Sequence, residues 1–277
     1  MAASTWQAAA LVFLGFLVSL MLLEAGLRQG GFVFSSKQEA ENLRSRTRSN
    51  KTSTEPILSE DALKKAVELD PRDDNAYYAL GVLYKMQGKY PQAEAFLRKA
   101  VELHPENDKA YTGLGWLYLD LNEFSQAEDF LRKAIKLNPK NDKAYAELGR
   151  LARVRGDCRP SECLEAVGFL KTAIELNPEN YKAYIALGGI FRIRHQFSQA
   201  EDLFKKALMI NPKVFPAYFE LLELYREQGK LSQAEKLFEK ALAIDPENQR
   251  LLGAMASLYE EMGKPELAKE YAEKAAR

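Results

Sequence analysis

Three regimes of hydrophobic and polar residues follow one another along the chain. Residues 1–23 carry no charged side chain, and Ala8 to Leu23 form an apolar run of 16 residues. Residues 35–55 are dominated by Ser, Thr, Asn, Arg and Lys. From Ile57 onward, apolar positions recur at steps of three and four, which places them on one face of a helix. Tyr77, Leu80 and Tyr84 make one stripe, followed by Gly88; Ala93, Leu97, Ala100 and Leu103 make the next, followed by Pro105. Proline cannot continue a helix, and glycine accepts the left-handed turn that ends one. The pattern therefore predicts a pair of helices over 74–107.

The pair recurs. Prolines fall on one beat at Pro71, Pro105, Pro139, Pro178, Pro212 and Pro246, and only the step from Pro139 to Pro178 is longer than the others, by five positions. Tyr77, Tyr111, Tyr145, Tyr184 and Tyr218 keep the same beat, and Leu252 takes the next slot. Within the units, Tyr77-Leu80-Gly81-Tyr84-Ala93-Leu97-Pro105 is repeated as Tyr111-Leu114-Gly115-Tyr118-Ala127-Leu131-Pro139 and as Tyr184-Leu187-Gly188-Phe191-Ala200-Phe204-Pro212. This pattern resembles the tetratricopeptide repeat. The resemblance implies an all-α, right-handed solenoid of six helix pairs: 74–107, 108–141, 142–180, 181–214, 215–248 and 249–277. Residues 57–73 read as a capping helix, and the charged last helix, from Pro265, suits an array's solvent-facing end. Small residues at Gly81, Gly115 and Ala93 let paired helices approach closely. Three departures stand out. Leu222 replaces the glycine of unit five, which also has Pro216 early in its first helix. Ala152 replaces a tyrosine. Unit three carries a five-residue insertion around 157–163.

Extended to Trp6 and Ala25, the apolar run reaches the ~20 residues a spanning helix needs. It is read as an uncleaved transmembrane anchor (1–28) followed by a polar linker (29–56). A cleaved signal peptide is the rival, but MAASTWQ lacks the basic residues such a leader carries. Arg28 and Lys37 after the run favour a cytoplasmic repeat domain by the charge rule. Leu22–Arg28 with Gly30, Gly31 and Phe32 resembles the anchor of bacterial membrane proteins that join an SGNH-type esterase to repeats. That resemblance and a cysteine pair favour the extracytoplasmic side.

Charge narrows the function. The 39 basic and 39 acidic residues cancel, which argues against a general phosphate-neutralising nucleic-acid binder. No nucleophile elbow, phosphate loop or spaced carboxylate pair is visible, so the chain reads as no enzyme and as needing no cofactor. Cys158 and Cys163 sit together in the inserted turn, as a disulfide or as two free thiols. They and the two histidines, His104 and His195, make no metal set. The family resemblance implies a peptide groove lined by the first helix of each unit. Matching positions give an apolar end (Tyr78, Val82, Met86, Trp116). A basic middle follows (Lys109, Lys143, Arg150, Arg153, Lys182, Arg192, against Asp120 and Glu147). The last two units are acidic, with Glu220, Glu223, Glu227, Glu260 and Glu261. The expectation is a membrane-tethered scaffold for an apolar and acidic peptide, of the bacterial type that serves envelope assembly. Two alternatives remain: a relative or accessory subunit of the esterase type, and a self-assembling oligomer.

Overall fold

The computed structural model describes residues 59–155 and 160–276, with the backbone alone at 160–163. Thirteen helices fill the described residues. They are α1 (Glu60–Leu69), α2 (Asp74–Met86), α3 (Tyr90–Leu103), α4 (Asp108–Asp120), α5 (Phe124–Leu137), α6 (Asp142–Val154) and α7 (Pro160–Leu176). The series continues with α8 (Tyr181–Ile193), α9 (Phe197–Ile210), α10 (Phe215–Glu227), α11 (Leu231–Ile244), α12 (Gln249–Glu261) and α13 (Pro265–Ala275). The chain divides into two compact units at Ala110 and Tyr111.

Local chemistry marks each helix. First helices of the pairs start at a side-chain cap, except α10, which follows Val214 and has a proline in its first turn: Asp73 accepts from the Asn75 and Ala76 amides, Asn141 from Ala144, Asn180 from Ala183 and Asn248 from Leu251. The second helices α3, α5, α9, α11 and α13 lack that cap and instead follow a tight turn. In that turn a residue with positive φ lets the next amide reach back, as Lys89 N does to Tyr84 O at 2.9 Å after Gly88 (φ 72°). Asn122 and His195 take the same conformation without being glycine; the role of His195 is to hold a left-handed turn.

In the first unit, α1 lays Leu63 and Ala66 against α2, where Ala76 is fully buried. In the second, a cluster running from Tyr184 to Ala268 is built around Phe204, Phe238 and Leu221. Large residues of the second helices face glycines of the first. The longest second helix is α7, at 17 residues against 14 for α5 and α9; part of the insertion is thus absorbed as extra helix. Leu222 fills the glycine position of α10, and α10 and α11 approach less closely than α8 and α9. The caps also pin helices to each other: Asn141 Nδ2 donates to Thr112 Oγ1 at 2.9 Å while its Oδ1 accepts from Ala144 N at 2.9 Å. Asn141→Ala removes both bonds and is expected to lower stability by about 1–2 kcal/mol, read from urea denaturation.

One expectation needs correction. No helix among the described residues is long and apolar enough to cross a membrane, so the assignment to a membrane is withdrawn. The helices that are present are amphipathic or buried in helix pairs rather than uniformly apolar. The segment read as an anchor, 1–28, and the linker, 29–56, lie outside the described residues. So do Cys158 and the side chain of Cys163, which leaves the disulfide reading there.

Candidate functional site

Within the second unit, α4, α6, α8 and the start of α10 enclose a cleft of about 490 Å³. Its apolar lining is Trp116, Ala146, Ile185, Ala186, Val214, Phe215 and Pro216; its polar lining includes Glu147, Arg150, Arg153, Lys182 and Lys213. The helix register dictates this. Trp116 and Arg150 occupy matching positions of successive first helices, as do Arg153, Arg192 and Arg226.

The arginines are already neutralised. Arg150 donates to Glu147 Oε2 at 2.7 Å and to Asp120 Oδ1 at 3.3 Å. Burial draws its guanidinium pKa down, and the two carboxylates more than compensate, so the net shift is upward. Arg153 donates from one terminal nitrogen to Glu220 Oε1 at 2.6 Å, two repeats further on. It can do so because α8 has Gly189 in its path: a Cβ there would stand 2.8 Å from Arg153 Cδ. Arg192 pairs with Glu227, and its Nε lies 3.4 Å from Glu220 Oε2. Arg226 bonds Glu223 at 3.1 Å and Glu261 at 2.9 Å. Carboxylates that the sequence placed in a separate acidic zone therefore interleave with the basic one.

Two cations stand exposed at the mouth of the cleft. Lys182 Nζ lies 4.4 Å above the centroid of the Trp116 ring and 4.0 Å from Glu147. Lys213 has no ion pair among the described residues and is exposed. Of the other residues singled out in the sequence, Lys143 is exposed on α6. Tyr78, Val82, Met86 and Lys109 belong to the first unit, where Tyr78 and Val82 are half-buried and Met86 and Lys109 exposed. Burial, and then the Asp108 carboxylate, pushes the Tyr78 phenol up to about 12. Sequence reasoning missed Ile185, Lys213, Val214 and Phe215; the signal was Pro216, which opens α10 and sets that turn against α8. Among the described residues no group of three or more His, Cys, Asp and Glu is placed to hold a metal ion.

A tetratricopeptide repeat model matches residues 86–154, 191–238 and 225–277, which together exceed half of the chain, and a second such model matches 62–95. The chain is a tetratricopeptide repeat protein. Neither matching model describes a catalytic domain, and proteins of this repeat fold generally serve as binding scaffolds. No curated protein matches in sequence. Several solved structures share the fold. PilF of Pseudomonas aeruginosa is 24% identical with a TM-score of 0.57, over 73% of this chain and 90% of that one. PilW, a type IV pilus biogenesis factor, is 23% identical at 0.60, over 72% and 90%. A thermophilic repeat protein of Thermus thermophilus is 22% identical at 0.62, over 68% and 99%. At these identities the likeness concerns the fold of the repeat protein.

Proposed function

We propose that this tetratricopeptide repeat protein is a non-catalytic scaffold that holds a short apolar segment of a protein partner in the cleft of its second unit. The observation that carries the reading is the recess of about 490 Å³, with an apolar wall from Trp116 and Ile185 to Pro216 and with Lys182 and Lys213 exposed at its mouth. Burying one large apolar side chain there contributes about 1.5–3 kcal/mol. The arginines add little, since a ligand carboxylate has to compete with Glu147 and Glu220 for them. One or two acidic residues beside the apolar anchor suit the exposed lysines and would speed association. A role in a bacterial assembly process is the part of the reading that rests on resemblance.

The test is a display selection of peptides on the full chain, with binding read from Trp116 emission in a Trp6→Phe background. Selected peptides are expected to carry an aromatic or branched residue next to Asp or Glu. Ile185→Ala is expected to weaken them about tenfold, and Lys213→Glu to weaken them and flatten their salt dependence. Peptides indifferent to both changes would sink the assignment.

A further inference from the structure

A second, smaller hole arises from a gap in the repeat itself. Tyr84, Tyr118, Tyr225 and Tyr259 share one register position, and each follows a glutamate at the same separation: Glu60, Glu94, Glu201 and Glu235. The spacing has a bond behind it. Tyr84 Oη donates to Glu60 Oε1 at 2.8 Å, and Tyr225 Oη to Glu201 Oε1 at 2.9 Å. Two of the rings stack on an aromatic of the following helix: Tyr84 on Phe96 with centroids 5.3 Å apart and Tyr118 on Phe130 at 5.4 Å. Burial first, and the facing carboxylate after it, pushes the phenols of Tyr225 and Tyr259 up to about 12.

Two repeats break the pattern in opposite ways. Where Phe191 lacks the hydroxyl, Val167 stands at the glutamate's position, so both partners are gone together. At Ala152 the whole ring is missing, yet Glu128 remains at the matching position before it, and so does Phe169 in the register of Phe96 and Phe130. A cleft of about 200 Å³ results around Ala152, with Leu148, Leu151, Ala166 and Phe169 on its apolar side and Glu128, Arg132, Arg155 and Glu165 on its charged side; the Arg132 guanidinium lies 5.7 Å from the Phe169 ring centroid.

The acceptor left over can be identified atom by atom. Glu60 Oε1 receives both Lys64, 2.8 Å away, and the Tyr84 hydroxyl, while its Oε2 receives Gln87 at 3.3 Å. Glu128 Oε1 receives Arg132 at 2.8 Å, the counterpart of Lys64. Its Oε2 faces Arg155 at 3.1 Å, and Arg155 is the counterpart of Gln87. The position on Oε1 that a phenol fills in the first repeat is thus the one without its counterpart in the third. A carboxylate oxygen has room for that second donor.

We propose that this cleft is a binding site for a tyrosine side chain presented by a protein partner, its ring stacked on Phe169 and its hydroxyl donating to Glu128 Oε1. The partner thereby completes the third repeat with the residue that the chain supplies to itself at Tyr84, Tyr118, Tyr225 and Tyr259. This site is separate from the larger cleft and does not depend on that assignment.

The test titrates the full chain with p-cresol, toluene and N-acetyltyrosinamide by ligand-observed NMR, with circular dichroism confirming that each variant folds. p-Cresol is expected to bind saturably and more tightly than toluene, and N-acetyltyrosinamide to compete with it. Ala152→Tyr is expected to abolish binding and raise Tm, because the chain then fills its own hole. Glu128→Gln is expected to weaken p-cresol roughly tenfold while leaving toluene unchanged. No saturable p-cresol binding overturns the proposal, as does binding that either variant leaves intact. Entry of p-cresol with exclusion of N-acetyltyrosinamide overturns the partner-tyrosine assignment.

Discussion

Phe204→Ala is expected to lower the stability of the second unit by about 3–5 kcal/mol. Phe204 is fully buried, at the centre of the cluster that α8, α9 and α10 share. Its ring lies against the bare backbone of α8: a Cβ on Gly188 would stand 2.6 Å from Phe204 Cε1. No side chain at 188 can swing into the space that truncation opens, and Ala200 and Ala207 beside it are too short to refill it. The cavity therefore persists, and the penalty falls toward the upper end of the range. Urea denaturation followed by circular dichroism measures it. A loss under about 1 kcal/mol would show that α8 and α9 collapse onto each other, contrary to a rigid glycine contact.

Gly115→Leu carries the second-largest effect, in the opposite sense of packing. Even a Cβ at 115 would lie 2.5 Å from Leu131 Cγ, 2.7 Å from Leu131 Cδ2 and 3.2 Å from the Ala127 carbonyl oxygen. Leu131 is fully buried and has little room to give. Overpacking at such a contact costs about 1–3 kcal/mol, and a leucine adds three more carbons to the clash. Pairing it with Leu131→Ala is expected to restore part of the loss, which identifies the contact responsible. Gly253 is the control: a Cβ there meets nothing within 4 Å, so Gly253→Ala is expected to stabilise α12 by about 0.5–1 kcal/mol. Equal destabilisation at 115 and 253 would contradict the packing assignment.

These contacts were legible in the sequence because they repeat. Gly81, Gly115 and Gly188 each precede a large residue (Leu97, Leu131 and Phe204) at one fixed separation, and the proline and tyrosine beats fix the helix ends without any long-range information. Charge was less legible, because pairing across repeats depends on which side chain stands between two helices. Glu220 reads as part of an acidic end until Gly189 is seen to let Arg153 across. The cleft residues Val214 and Phe215 lie where the turn before α10 passes into its first, proline-containing helical turn, and turns carry no periodic signal. The constant step from glutamate to tyrosine, by contrast, is written in the sequence; it gains its meaning from the hydrogen bonds of Tyr84 and Tyr225. Hydropathy at the N-terminus pointed to a membrane, whereas every helix among the described residues is too short or too polar to cross one.

Binding in the cleft between Trp116 and Pro216 is tested most directly by the affinity of one selected peptide for the unmodified chain, for Ile185→Ala and for Ala152→Tyr. The expected result is about tenfold weaker binding for Ile185→Ala and an unchanged affinity for Ala152→Tyr, which alters a different site. Full affinity in a folded Ile185→Ala chain would contradict a binding site there.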